Sequence, residues 1–304
     1  MMILNNLFPV FALIALGVFL KYLGLSNESF LKTSDRIVYF IFFPVMLFWK
    51  IGGASSGGQI DWSFCKAGIC AVLILFALST AYILLLRVSD YAAGTFSQSC
   101  YRFNTYIGIA VVMNALGEDG VRLFGILIGI LIPMINVLAV SILIWFSGKN
   151  FGPGEKIRVT GKALISNPLI LGCVAGILYA RWVGVFPVFL ENTFRLMTSA
   201  TLPLAIISVG GALTFENLRG YFRLSLIASV FKLVLFPIVG YFCLRAFHVT
   251  GVAFKVSMIF FALPTSVSMY VLSSQLNSDT DLASASIMIS TALSFFSLSA
   301  VLLM

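Results

Sequence analysis

The sequence has few charged residues and a single histidine. Charged side chains make up 10% of the 304 residues, 60% are hydrophobic, and the mean hydropathy is +1.06. A soluble domain could not shield so much apolar surface from water, so a soluble globular fold is excluded. Because His248 is the one histidine, most metal sites and histidine-based nucleophiles are unsupported. We therefore expect no enzymatic activity.

The cysteines also lack the spacing of a metal site. No Cys-x-x-Cys pair occurs, and all five lie in or beside apolar segments: Cys65, Cys70, Cys100, Cys173 and Cys243. We expect free packing thiols, no metal and no cofactor. The 19 Lys and Arg residues outnumber 11 acids but are scattered between apolar runs, which argues against nucleic-acid binding.

Long apolar segments recur along the whole chain. A bilayer core requires about twenty apolar residues per helix. The sequence predicts an all-α polytopic membrane protein with ten spans, near residues 4–22, 35–52, 64–86, 91–116, 120–146, 163–181, 194–213, 223–244, 252–276 and 282–303. The lipid bilayer is therefore an expected partner.

The two halves of the chain share landmarks at a nearly constant offset. Pro9 matches Pro168 and Pro44 matches Pro203, 159 residues later, while Asp119 matches Asp279 at 160. Five spans per half make the second half inverted relative to the first. We predict a first repeat at 1–147, a linker at 148–162 and an inverted second repeat at 163–304.

The positive charges are distributed unequally between the two sides of the membrane. Loops on the side that contains the linker carry ten Lys and Arg residues, against seven on the other side. This bias predicts a cytoplasmic linker, and both termini outside the cytoplasm, in an inner or plasma membrane.

Two matched spans contain interruptions, which is where transporters with inverted repeats bind substrate. Span 4 contains the polar run SQSCYRFNTY at 97–106, and span 9 contains PTSVS at 264–268, where proline removes a helix hydrogen bond. An ordinary kink with hydroxyl back-bonding is the alternative. The candidate substrate-binding residues are Arg102, Asn104, Thr105, Tyr106, Pro264, Thr265, Ser266 and Ser268.

Two basic residues lie inside spans. Arg102, beside the span 4 break, suits a carboxylate, or else it pairs with carbonyls or extends to the interface. Lys232, in span 8, either stabilises the carboxyl ends of broken helices, or replaces a coupling cation, or is structural. Weaker candidates for coupling or support are Asn136, Asn114, Thr201, Ser208, Pro44 and Pro203.

Several motifs resemble one family. They are RFNTYIG at 102–108 with LGEDG at 116–120, ALPT at 262–265 with YVL at 270–272, NPL at 167–169, TLPLA at 201–205, LAS at 282–284 and ST at 290–291. Together these motifs resemble the auxin efflux carriers, and in particular their short bacterial members, which are associated with small carboxylates such as malonate. One departure is Ala110, where the family usually has proline.

The resemblance implies a fold shared with bile-acid sodium symporters, in which spans 4 and 9 cross. It further implies a dimerising scaffold of spans 1, 2, 6 and 7, and a transport domain of spans 3–5 and 8–10 that moves as an elevator. The expected function is secondary transport of small organic anions, carboxylates of auxin or malonate type, by a homodimer. Asn104, Thr265 and Arg102 would hold the carboxylate.

The sequence alone leaves the activity and the coupling ion open. A non-transporting sensor or scaffold could bind the same ligands, and a sodium-coupled uptake symporter of the bile-acid type is a further alternative. No acidic residue stands out inside a span as a proton carrier, whereas hydroxyls and carbonyls at the crossing could hold sodium. Uniport driven by the membrane potential is equally open.

Overall fold

The computed structural model describes residues 2–53, 62–146, 167–213 and 218–304, and in these ranges every regular element is a helix. The predicted linker at 148–162 lies outside the described residues. The first half contains α1 (Met2–Tyr22), α2 (Glu28–Ile37), a π-helical turn (Val38–Phe42), α3 (Phe43–Gly52), α4 (Ser63–Leu86), α5 (Asp90–Tyr101) and a helical stretch Thr105–Phe146. Gly117, with φ 65°, divides that stretch into α6 (105–116) and α7 (118–146).

The second half also has only helices as its regular elements in the ranges that the structure describes. It contains α8 (Pro168–Trp182), α9 (Val188–Ala212), α10 (Leu218–Val230), a second π-helical turn (Phe231–Leu235), α11 (Phe236–Ala246), α12 (Gly251–Ala262), α13 (Ser268–Gln275) and α14 (Thr280–Leu302). Asparagine and aspartate start several helices. The side chains of Asn27, Asn167 and Asp279 each accept a backbone N–H from the first turn of α2, α8 and α14.

Six helical stretches of the described chain are long and apolar enough to cross a membrane. They cover 5–22, 63–86, 90–146, 188–212, 220–246 and 280–302. Two shorter apolar helices cover 168–182 and 251–262. The chain is therefore an α-helical polytopic membrane protein, and the count of ten spans stays a prediction. Helix in this region begins at Glu28, before the predicted span 2 (35–52), and its first ten residues form the polar helix α2.

Most of the helix packing falls into two sets. In the first group, α1 lies along α9, α2 packs on α9 and α3 lies along α8. In the second group, α10 packs on α14, α11 on α4, and α5 on the 105–146 stretch. The 105–146 stretch also contacts α1, α3, α8 and α9, so the two groups touch each other. Glycine permits the closest approach in the first group, since a Cβ on Gly17 would collide with the Ile207 carbonyl and one on Gly210 with the Ile14 carbonyl.

Candidate functional site

Both interruptions predicted from the sequence are present, and they touch each other. Helix α5 ends at Tyr101 and α6 begins at Thr105, whereas α12 ends at Ala262 and α13 begins at Ser268. The Asn104 backbone N–H donates to the Pro264 carbonyl at 2.9 Å, so the two breaks are joined directly. The first break forms although residue 110 is alanine, because Asn104 starts a new helix by its own hydrogen bonds.

Asn104 has a buried side-chain amide whose oxygen accepts hydrogen bonds, whereas its nitrogen donates none to the described residues. Its Oδ1 accepts the backbone N–H of Tyr106 at 3.0 Å and of Ile107 at 3.2 Å, which caps α6. The residue is 1% exposed, and within the described part of the chain its Nδ2 has no hydrogen-bond partner. A buried donor without an acceptor is costly, so this nitrogen is suited to a ligand oxygen.

Arg102 lies next to Asn104 and is 8% exposed. Its Nη2 donates to Ser268 Oγ at 3.0 Å and its Nη1 to Gln98 Oε1 at 3.4 Å. The ion pairs of the described residues do not include Arg102. A guanidinium carries five N–H donors, so a carboxylate could bind here with no need to displace an acidic partner.

The second break contributes hydroxyl groups at the start of α13. Ser268 is exposed, and its hydroxyl lies 2.8 Å from that of half-buried Ser266. Thr265 is fully buried, its N–H donates to Ser290 Oγ at 3.2 Å, and its hydroxyl lies 4.0 Å from Met269 Sδ. The amino ends of α6 and α13 both adjoin this place, and half-helix amino ends favour a negative charge.

The polar face of α5 is buried against α13, which explains its composition. Gln98 Nε2 donates to Ser273 Oγ at 2.9 Å, and Thr95 Oγ1 lies 2.9 Å from the hydroxyls of both Ser273 and Ser278. These hydrogen bonds give partners to side-chain amide and hydroxyl groups that would find none in the lipid core.

Lys232 is completely buried in the second π-helical turn. Its Nζ donates to the Phe261 carbonyl at 3.3 Å and lies 4.3 Å from the centre of the Phe236 ring. Phe261 belongs to the last turn of α12, so the ammonium stands at a helix carboxyl end, where the partial charge is negative. This contact is consistent with the first of the three roles considered from the sequence, which stays a prediction.

Asp35 is a residue that the sequence analysis missed. Asp35 lies in the polar helix α2, and its Oδ1 accepts a hydrogen bond from Tyr106 Oη at 3.2 Å. The Tyr106 ring also packs on Phe43, with centroids 4.7 Å apart. An acidic side chain from the first helix group thus reaches the first turn of α6. The only sequence signal was an aspartate at the edge of a predicted span.

The weaker candidates are spread over the molecule. Asn114 Nδ2 donates to the Asn6 carbonyl at 3.2 Å, and Thr201 Oγ1 donates to the Met197 carbonyl of its own helix. Asn136 is half-buried in α7, Ser208 is buried in α9, Pro203 is exposed there, and Pro44 packs against Gly172. Thr105 is half-buried at the break. In the described ranges, no three His, Cys, Asp or Glu residues could jointly hold a metal ion.

A bundle of membrane helices with two interrupted helices in contact, and polar donors at their junction, belongs to the transporter class. The sequence comparisons agree. A family model described as membrane transport protein matches residues 2–302, so the chain belongs to this family, that of the auxin efflux carriers. The resemblance read from the motifs is thereby confirmed.

Two archaeal relatives match almost end to end. An uncharacterized transporter of Methanocaldococcus jannaschii is 26% identical over 292 residues, covering 94% of this chain and 93% of the relative. An uncharacterized transporter of Methanothermobacter thermautotrophicus is 26% identical over 298 residues, covering 97% and 95%. The protein is therefore a membrane transporter.

Proposed function

We propose that this protein is a secondary transporter of small organic anions, with the carboxylate bound where the two breaks meet. The observation that carries the proposal is a buried donor beside a cation in the first break. Asn104 Nδ2 is buried and has no hydrogen-bond partner among the described residues, and Arg102, two positions earlier, donates to the neutral groups of Gln98 and Ser268. Both favour a ligand that brings oxygen acceptors and a negative charge.

The helix ends at the junction add to this preference. The amino ends of α6 and α13 carry partial positive charge, and Ser266 and Ser268 supply hydroxyls on the accessible side. We expect Asn104, Arg102 and Ser268 to contact the carboxylate directly. Thr265 and Pro264 stabilise the break between α12 and α13. The Thr265 N–H donates to Ser290 Oγ, and the Pro264 carbonyl accepts the Asn104 N–H.

The proposed movement is of elevator type. Spans 1, 2, 6 and 7 correspond to α1–α3, α8 and α9, which pack together, and the other helices form the second group. Ten spans in two inverted halves, a homodimer built on the first group, and extracytoplasmic termini in the plasma membrane belong to the same proposal. The second group would carry the anion past the first.

The test uses purified protein in sealed liposomes. Labelled malonate, short monocarboxylates and indole-3-acetate are offered under imposed sodium, proton and potential gradients. Saturable uptake is expected, and the gradient that drives it identifies sodium symport, proton symport or uniport. Arg102→Gln should raise the KM for the transported acid at least about tenfold, because a charge-assisted hydrogen bond contributes about 1.5–3 kcal/mol.

A folded, inserted protein that binds these acids but moves none of them would contradict transport and favour the sensor reading. Uptake by Arg102→Gln with an unchanged KM would contradict the assignment of the site.

A further inference from the structure

Side chains of opposite charge adjoin the candidate site. Arg102 and Asn104 lie in the break between α5 and α6. Asp35, on the first helix group, is hydrogen-bonded to Tyr106, two residues after Asn104. An anion bound in the break therefore has a carboxylate of the protein close by.

Asp35 is held at the site by a defined contact. Tyr106 Oη donates to its Oδ1 at 3.2 Å, and the Tyr106 backbone N–H is in turn fixed by Asn104 Oδ1 at 3.0 Å. Tyr106 thus connects the acidic side chain of Asp35 to Asn104. Asp35 and Thr105 are both half-buried, so neither side chain is fully enclosed by the protein.

Among the described side chains, no ion pair gives Asp35 a cationic partner. Arg36, its neighbour on α2, is exposed. Helix α9 also packs on α2, through Leu31 and Gly211, but its charged residues Glu191 and Arg195 pair with each other near the start of α9. Twenty residues of helix separate Glu191 from Gly211, about 30 Å. Of the described titratable side chains, Tyr106 is the one that hydrogen-bonds to Asp35, and Tyr39 follows Asp35 by four residues in the same continuous helix.

We propose that Asp35 is a specificity-determining residue that makes the site select monoanions, carboxylates whose far end is neutral or donates hydrogen bonds, and reject dianions. The inference rests on the proposed function. A second carboxylate would meet a like charge in a site that is partly shielded from water, which is unfavourable. A hydrogen-bond donor at the same position could instead bind Asp35.

A matched pair of ligands tests the charge alone. Malonate and malonamate have the same number of heavy atoms, but malonamate carries an amide where malonate carries its second carboxylate. At neutral pH, wild-type protein in liposomes should take up malonamate about tenfold more efficiently, by kcat/KM, than malonate, given the strength of like-charge repulsion at an intermediate dielectric.

The variants separate charge from hydrogen bonding. Asp35→Asn keeps an oxygen that can accept from Tyr106 and removes the charge, so malonate uptake should rise to approach that of malonamate. Tyr106→Phe leaves the charge in place, so the preference should persist. Asp119→Asn removes an exposed acid outside the site and should leave the ratio unchanged. If Asp35→Asn does not elute as a folded protein in size-exclusion chromatography, Asp35→Ser replaces it as the variant that removes the charge.

The outcomes are distinct. If the preference for malonamate disappears in Asp35→Asn but not in Asp119→Asn, the inference is supported. A wild-type protein that prefers malonate, or an Asp35→Asn variant that keeps the full preference, would overturn it and leave carboxylate transport intact. If neither acid moves although another carboxylate does, the inference fails and the proposed function stands; if no carboxylate moves through the wild-type protein, both fail.

Discussion

At the scale of single residues, the site depends on side chains that perform two tasks at once. Asn104 caps α6 with its oxygen, its nitrogen has no partner in the part of the chain that the structure describes, and Tyr106, two residues later, donates to Asp35. Capping by asparagine is local chemistry, so the start of α6 could be predicted from the sequence. The position of Asp35 could not be, because residue 35 meets residue 106 only after the helices have packed.

Replacing Asn104 separates the two tasks. Asn104→Ala should abolish saturable transport with folding largely intact. Asn104→Asp keeps an oxygen for the cap but places a negative charge at the anion site, so uptake should also fall at least about tenfold. Asn167→Asp is the matched control, since Asn167 caps α8 in the same way away from the breaks. Normal uptake kinetics in both Asn104 variants would refute its role.

At the scale of helices, the two breaks place helix ends of opposite partial charge at different positions. Amino ends of α6 and α13 adjoin the candidate anion site, and the carboxyl end of α12 lies against Lys232. A cation at a helix carboxyl end stabilises the exposed carbonyls. The sequence indicated three roles for Lys232, and the contact with Phe261 depends on how α12 packs on the second π-helical turn.

Lys232→Met tests whether this charge matters for function. A methionine of similar length suits a buried position, and no acid pairs with Lys232 in the described chain, so thermal stability should be equal or higher. Uptake should fall, because the carbonyls at the break lose their cation. Lys255→Met, which removes an exposed lysine of α12, is the control. Full uptake by Lys232→Met would show that the charge is dispensable.

From the close contact of α1 and α9 we derive a second prediction at the scale of helices, which concerns stability. Gly17→Ala places a methyl group against the Ile207 carbonyl and should destabilise the protein by about 1–3 kcal/mol. Gly220→Ala meets no neighbouring atom, so its thermal unfolding temperature should be unchanged or higher. Scanning fluorimetry of both purified variants makes the comparison, and equal unfolding temperatures would exclude a tight contact.

At the scale of the whole molecule, polar contacts connect the two helix groups at separate places. Asp35 meets Tyr106 near the site, and Lys50 at the end of α3 pairs with Glu118 at the start of α7. Any movement of one group against the other must break both contacts. They are therefore the points at which the proposed elevator can be tested.

A cross-link at the second contact should stop the cycle. With Lys50→Cys and Glu118→Cys in a background without the native cysteines, a short thiol cross-linker should block uptake. Each single cysteine variant, treated with the same reagent, should remain active, which controls for modification alone. Undiminished uptake by the cross-linked pair would exclude relative movement of α3 and α7 during transport.

The sequence by itself determined the membrane class, the family and both helix interruptions. Hydropathy, proline and helix-capping residues act within a few positions of the chain, so their effects are readable without the fold. Only the tertiary structure decided what surrounds the interruptions. Ser268 reaches Arg102 across 166 positions and Asp35 reaches Tyr106 across 71, because side chains distant in sequence meet only when the helices pack.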